Sequence, residues 1–332
     1  MSGALDQISV VVPVLNDREG MSELLAALAE QRRAPGECVV VDGGSTDGTV
    51  QLLQTWRGPF PLRIISRPGR NIAAARNAGI RAARYDWIAC TDAGCRPAPG
   101  WLAAIDAARG SADFVAGVVA VEAGTPLQRV LALTHYPSAE ELVEPPAWIR
   151  ATHRLFGRGY VEERSGGAYI AFSKATWLAV GGFPEGVYAG EDRAFTSAVV
   201  HRGFRTLRVP EAAVRWNPPA TWLGNARMFY TYSRGDIRAP GRRRHALRLV
   251  AWVAAARFIA GDRTSRLLLL AGAGAYLALP VHRARRARLP LRDWWRIPVA
   301  VAVKDLSQIA GAARGLVDAA RGVPQPPPRA VS

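Results

Sequence analysis

Four short apolar runs open the chain: Ile8–Val14, Cys38–Asp42, Leu62–Ser66 and Trp87–Thr91. They are rich in valine and isoleucine and lack a helical period, which predicts buried strands. Amphipathic segments of helical length separate them. Ser22–Gln31 carries Leu24, Leu25 and Leu28 on one face; Thr49–Trp56 and the alanine-rich Asn71–Arg84 follow. Strand and helix alternating at this spacing predict βαβ units and a mainly parallel sheet. Sheets of this kind bind ligands outside the carboxyl ends of their strands. Here those ends are Val14–Asp17, Asp42–Asp47, Ser66–Arg70 and Thr91–Gly94, and each turns polar or charged immediately after its apolar run.

The second half has a different texture. Residues 114–121, Tyr169–Ser173 and Phe204–Val209 read as further strands, and Glu191–Arg202 as a helix. Pro137, Pro145 and Pro146 interrupt a weakly helical pattern between the first two of these strands. A basic stretch, residues 234–248, is broken by Pro240-Gly241. Three apolar segments follow: Leu249–Ala260, Leu267–Val281 and Trp294–Ala320. The middle one falls short of the roughly 20 residues of a standard span. The first contains Arg257, and the last contains Lys304, Asp305, Arg314 and Asp318. They read as interfacial or re-entrant helices. The expected organisation is a catalytic domain at 1–230, a basic linker at 231–248, membrane-associated helices at 249–320 and a disordered proline-rich tail at 321–332.

Charge supports a membrane partner. The formal net charge is +16, and of 43 basic residues only Lys174 and Lys304 are lysines. Arginine-rich codon usage explains arginine over lysine but not its clustering beyond residue 230, interleaved with apolar and tryptophan residues. No nucleic-acid-binding module is recognisable, so nucleic acid is not an expected partner. Residues 1–7 lack the basic start of a signal peptide, which places the expected site of action at the cytoplasmic face of a membrane. Cys38, Cys90 and Cys95 match no metal spacing and are odd in number, so they are expected to be core thiols.

The chemistry-bearing residues fall at the strand ends. Asp42 closes a buried strand, where a carboxylate must find donors, either in its own turn or on a nucleotide base or ribose. Gly43 and Gly44 permit close backbone approach, and Ser45 and Asp47 are helix-capping residues. Around this segment stand Pro13-Val14-Leu15-Asn16-Asp17, Ala75-Arg76-Asn77-Ala78-Gly79, Thr91-Asp92-Ala93-Gly94 and, much later, Gly190-Glu191-Asp192.

In this order the motifs make the chain, over residues 8 to about 215, resemble family 2 glycosyltransferases, inverting enzymes of the GT-A fold. The family's marks are Pro-x-x-Asn, Val-Asp-x-Gly-Ser-x-Asp, Ala-Arg-Asn-x-Gly, Asp-x-Asp and Glu-Asp. The resemblance implies an α/β GT-A domain that binds a nucleotide-sugar donor. Pro13, Val14, Asn16 and Asp17 would line the base pocket. Asp42, with Gly43 and Ser45 beside it, and Arg76 would bond base or ribose. Asp92, with Ala93 and Gly94, would contact the ribose or a metal-bound diphosphate. Asp192 would be the general base toward the acceptor hydroxyl, with Glu191 beside it, and Gly166-Gly167 would form an acceptor-side loop. The acceptor would be a glycan, lipid-linked or membrane-proximal; the alternatives are a polyprenyl-phosphate acceptor, or a degenerate member that binds nucleotide sugar as a membrane partner without transferring it.

Two departures weaken the expected metal site. Gly94 replaces the second carboxylate of Asp-x-Asp, leaving Asp92 as the one candidate ligand for Mg²⁺ or Mn²⁺. Val214-Arg215-Trp216 stands where the family often has a metal-binding histidine. Arg234 and Arg242, in the broken basic stretch, are then candidates to neutralise the diphosphate.

Overall fold

The computed structural model describes residues 7–156, 166–187, 189–236 and 243–322. In chain order the elements are β1 Ile8–Val14, α1 Arg18–Ala29, β2 Glu37–Asp42, α2 Thr49–Gln54, β3 Leu62–Ser66, α3 Ile72–Ala82 and β4 Trp87–Cys90. They continue with β5 Arg96–Pro97, α4 Trp101–Ala108, β6 Phe114–Val121, α5 Pro126–His135, α6 Ala139–Val143 and α7 Ala147–Phe156. Then come β7 Ile170–Ser173, α8 Lys174–Val180, α9 Glu191–His201 and β8 Thr206–Trp216. Four helices complete the chain: α10 Trp222–Asp236, α11 Arg243–Ile259, α12 Arg263–Arg286 and α13 Arg296–Ala320.

These elements form two compact units. The first takes the described parts of Met1–Ala120 and Glu162–Trp216; the second takes those of Val121–Val161 and Asn217–Gln325. This departs from the linear division drawn from the sequence. The chain leaves the sheet-bearing unit after β6, contributes α5 to α7 to the helical unit, and returns.

The first unit is a mixed α/β fold with an eight-stranded sheet ordered β3-β2-β1-β4-β7-β6-β8-β5. Pairings β1–β2, β2–β3 and β1–β4 are parallel, whereas β4–β7, β6–β7 and β5–β8 are antiparallel. Only the N-terminal half therefore matches the expected parallel sheet. Strand alternation splits the core. Val10, Val12 and Val14 face Leu24, Leu25 and Trp101 on one side. Val11 and Val39 face Ile80, Phe172 and Phe183 on the other. Gly79 lets α3 lie close on the sheet: a Cβ there would stand 2.6 Å from Val11 Cγ1 and 3.1 Å from Val41 Cγ2. Parallel register aligns Val14 with Asp42 and Asp42 with Ser66, so the polar strand ends share one edge.

In the second unit Val130 and Leu131 of α5 pack with Ala284, Ile297 and Ala300. Prolines mark two helix starts, and one of them, Pro146, looks disruptive in sequence. Pro126 occupies the first turn of α5 behind a Thr125–Gln128 capping box, and Pro146 immediately precedes α7. The Leu267–Val281 segment proves to be part of the 24-residue α12, which runs through Pro280. That helix is long and apolar enough, by length and composition, to cross a membrane, contrary to the reading of this segment as too short. Asp305 and Asp318 of α13 are buried rather than interfacial. Asp305 accepts from the Tyr276 hydroxyl, and Asp318 accepts from Arg234 Nε at 2.6 Å and Arg314 Nε at 2.9 Å.

Candidate active site

The carboxyl edge of the first unit is held by interlocking caps. Asn16 adopts a positive φ of 51°, a conformation that asparagine tolerates better than most residues. Its N–H donates to Ser45 Oγ at 2.8 Å, and its Oδ1 accepts from Thr46 N–H at 2.7 Å. Arg18 N–H donates to Asp47, whose other oxygen accepts from Thr49 N–H and Oγ1. The β1 and β2 ends are thus stitched together by side chains that also cap α1 and α2.

Asp42 is buried and accepts from Gly44 N–H at 2.9 Å and Ser45 N–H at 3.2 Å. The donors this carboxylate requires come in the first instance from its own turn. Pro13 and Val14 lie buried within β1, with Val14 in the core, so the end of the strand rather than these two side chains contributes to the edge. Asp17 caps α1 by accepting from Gly20 N–H at 3.0 Å. Burial, with Asp47, Glu19 and Glu23 nearby, raises its carboxyl above the ordinary range despite that bond. Gly20 packs against both Asp17 and the Gly94 backbone, so the β1 and β4 ends meet there.

Arg76 lies at the centre. Its side chain is 1% exposed, yet it carries a full charge. Nη1 donates to Glu191 Oε1 at 2.7 Å and Nη2 to Asp92 Oδ1 at 2.6 Å; the guanidinium also sits 5.6 Å from the Phe183 ring centroid. Burial opposes the charge, but Asp92 and Glu191 outweigh it and hold the guanidinium above its ordinary value. Arg76 thus joins the β4 end to the start of α9, with each terminal nitrogen donating to a carboxylate.

Glu191 and Asp192 begin α9 behind Gly190, whose φ of 85° suits glycine. Glu191 is buried. That burial, reinforced by Asp192, pushes its carboxyl up to about 7 against the pull of Arg76. Asp192 is only half-buried. Its Oδ2 accepts from Gly167 N–H at 2.9 Å and its Oδ1 from Arg193 N–H at 2.7 Å. Gly166-Gly167 therefore orients Asp192. A Cβ on Gly167 would lie 2.5 Å from Arg76 Cζ, which makes glycine obligatory where the loop crosses the guanidinium.

Two residues given no role from sequence complete the frame. Asn77 Nδ2 donates to Phe183 O at 2.8 Å, and its Oδ1 accepts from Trp177 Nε1 and Phe183 N–H. Asn71 caps α3 through Ala74 N–H and donates to Glu185 O. Together they fasten the segment leading to Glu191 onto α3. Their signal lay in the Arg76-Asn77 pair itself, since an asparagine inside an apolar helix needs partners.

Residues 9–162 match the family model described as Glycosyl transferase family 2. Over this stretch the chain is similar to family 2 glycosyltransferases. Among similar proteins, glycosyltransferase AglE of Haloferax volcanii is 28% identical over 213 residues, covering 61% of this chain and 64% of that protein. Validoxylamine A glucosyltransferase of Streptomyces hygroscopicus subsp. limoneus is 32% identical over 115 residues, 32% of this chain and 25% of that one. The chain thus spans less than two thirds of these curated relatives. Mannosyltransferase PcManGT from Pyrobaculum calidifontis, solved with GDP-Man and Mn²⁺, superposes with a TM-score of 0.55 at 20% identity, covering 94% of this chain and 87% of that chain. This likeness shows the GT-A fold.

Toward a divalent cation the domain offers little. Among the described residues no three His, Cys, Asp or Glu side chains converge. Asp92 has one oxygen engaged by Arg76, its side chain is 32% exposed, and Gly94 supplies no ligand. These residues do not build an oxygen cage. Arg234 belongs to α10, a regular helix rather than a broken stretch, and its Nε donates to buried Asp318 in the helical unit. Arg242 lies outside the described residues.

The Glu191 shift has a consequence for stability. A carboxyl whose folded pKa of about 7 exceeds its ordinary 4.5 binds more proton when folded. Its contribution is fully present below pH 4.5 and is lost as pH rises through 7. Glu191→Gln removes that dependence, so the stability difference between parent and variant should change across this window, the parent losing ground as pH rises. Parallel denaturant titrations from pH 4 to 8 would test this; curves separated by a constant offset would count against a Glu191 carboxyl raised by burial.

Proposed function

We propose that the domain transfers a sugar from a nucleoside-diphosphate donor to a hydroxyl acceptor with inversion at the anomeric carbon. The observation that carries this reading is Asp192, half-exposed at the start of α9 and aimed by the Gly167 N–H beside the Asp92–Arg76–Glu191 cluster. In the proposed reaction Asp192 takes the proton of the acceptor hydroxyl as its oxygen bonds to the anomeric carbon. The bond from that carbon to the diphosphate breaks on the opposite face, and the electron pair leaves with the diphosphate. Asp192 suits this task better than Glu191, which is buried and tied to Arg76. Asn16, Asp17, Asp42, Gly43 and Ser45 are assigned to the nucleoside side and Asp92, Ala93 and Gly94 to the ribose–diphosphate side, because all lie at the shared carboxyl edge. Asp92 is the residue that would hold a divalent cation, which would supply positive charge toward the leaving diphosphate.

A panel of UDP-, GDP- and dTDP-sugars screened by thermal unfolding, with and without Mn²⁺ or Mg²⁺, tests the reading. A donor at 100 times its Kd should add about 2.7 kcal/mol, and much of that should persist in EDTA because the domain supplies so few metal ligands. No stabilisation by any nucleotide sugar would overturn the assignment.

The acceptor is proposed to be lipid-linked or membrane-proximal, with the enzyme at the cytoplasmic face. Support comes from the net charge of +16 and from the apolar side chains that α11 and α12 leave exposed, Val250, Val253, Leu267, Leu268 and Leu270 among them. Basic residues near an anionic surface contribute about 1 kcal/mol each. The full chain should therefore sediment with phosphatidylglycerol vesicles at low salt and be released as salt rises. Protein that stays in the supernatant at low salt would remove the membrane from the proposal.

A further inference from the structure

The first unit carries a basic recess at its β3 edge. β3 is an edge strand, and between it and α3 lies an open cavity of about 450 Å³. Its floor is apolar, made by Ile65 with Ala74 and Ala78 on one face of α3. Its polar lining is Arg67, Arg70, Arg81 and Glu185. From these residues we infer a binding site for a phosphate-bearing ligand, separate from the donor site proposed above.

Charge argues for phosphate. The lining holds three guanidiniums and one carboxylate, a residual charge of about +2, which a phosphate monoester carrying about −1.5 to −2 would balance. A single carboxylate ligand would leave the recess half-neutralised. Glu185 competes weakly, because its Oε1 already accepts from Asn77 Nδ2 at 3.0 Å and Arg81 Nη2 at 3.4 Å. Arg81 is further steadied over the Trp177 ring, 5.8 Å from its centroid. Arg67 spends one nitrogen on the carbonyl of Ser66, and the Arg70 guanidinium has no protein partner among the described residues. Planar donors arranged in this way suit the oxygens of a phosphate.

The recess is also wired to the strand edge. Arg67 N–H donates to Asp42 O at 2.8 Å and Gly69 N–H to Gly43 O at 3.2 Å. The turn that carries Arg67 and Arg70 is therefore anchored on the same β2 end that the proposed nucleoside pocket uses, while its arginine side chains line the recess.

The experiment is calorimetric titration of the full-length chain with inorganic pyrophosphate. The triple variant Arg67→Gln, Arg70→Gln, Arg81→Gln should bind at least about tenfold more weakly, since charged hydrogen bonds are lost. A control variant, Arg32→Gln, Arg57→Gln, Arg202→Gln, removes the same charge from exposed positions elsewhere on this unit and should bind within about twofold of the parent. Because these arginines are exposed, folding of both variants should survive; Arg70→Gln alone, which breaks no hydrogen bond or ion pair among the described residues, should still weaken binding. Equal losses in the two triple variants, or none in the first, would overturn the site. So would a loss of vesicle sedimentation in the first variant with pyrophosphate affinity unchanged, which would make the recess a lipid-surface contact.

Discussion

Asp192→Asn should abolish sugar transfer while leaving nucleotide-sugar affinity nearly unchanged. The substitution keeps the shape of the side chain and can still accept from Gly167 N–H, now 2.9 Å from Oδ2. What it loses is basicity. Removing a positioned general base costs about 10² to 10⁴ in rate, and here the loss should appear in kcat with little change in donor Kd. The half-buried setting sharpens the expectation. Asp192 is the carboxylate of the cluster whose oxygens are engaged only by backbone N–H groups, whereas Glu191 and Asp92 each give one oxygen to Arg76. Parallel measurement of kcat and of donor affinity by thermal shift decides the point. A variant that transfers at the parental rate would move the base to another residue, with Glu191, at a pKa of about 7, the next to test.

The strand-edge residues of this site were legible because burial and polarity change abruptly there. An apolar run that ends in Asp42, or in Asn16-Asp17, announces a strand end in sequence, and parallel register then aligns those ends. What sequence concealed was pairing across distance. Arg76 and Glu191 are 115 positions apart, and nothing in either local pattern says that the arginine points inward to two carboxylates. The helical unit was obscured for a different reason. Proline reads as a breaker, but Pro146 stands immediately before a helix, where a missing N–H costs nothing. α12 looked short because its apolar stretch was measured up to Val281, while its helix continues through a basic last turn. The antiparallel half of the sheet escaped the parallel reading because β6 and β7, neighbours in space, are separated in sequence by the excursion into the second unit.

Arg76→Ala should have the largest effect on stability. Burying a charge is costly unless it is paired, and removing one partner of a buried pair leaves the others uncompensated at about 3–5 kcal/mol. Here one cation serves two carboxylates, one of them buried, so its loss leaves Glu191 and Asp92 facing each other and Asp192 with no cation between them. Removal of the guanidinium also opens the space against which Gly167 is fitted, and with it the loop that aims Asp192. The expected drop in Tm is on the order of 10 °C, with activity lost alongside. Arg76→Lys keeps the charge but not the fork that reaches two carboxylates at once, so it should recover only part of the stability. Electrostatic and packing losses separate in a double-mutant cycle. If the penalty is uncompensated charge, Glu191→Gln should cost less in the Arg76→Ala background than in the parent, with a coupling within the 0.5–3 kcal/mol found for residues in contact. Additive effects of the two substitutions would reduce Arg76 to a packing residue and would dissolve the cluster that orients this site.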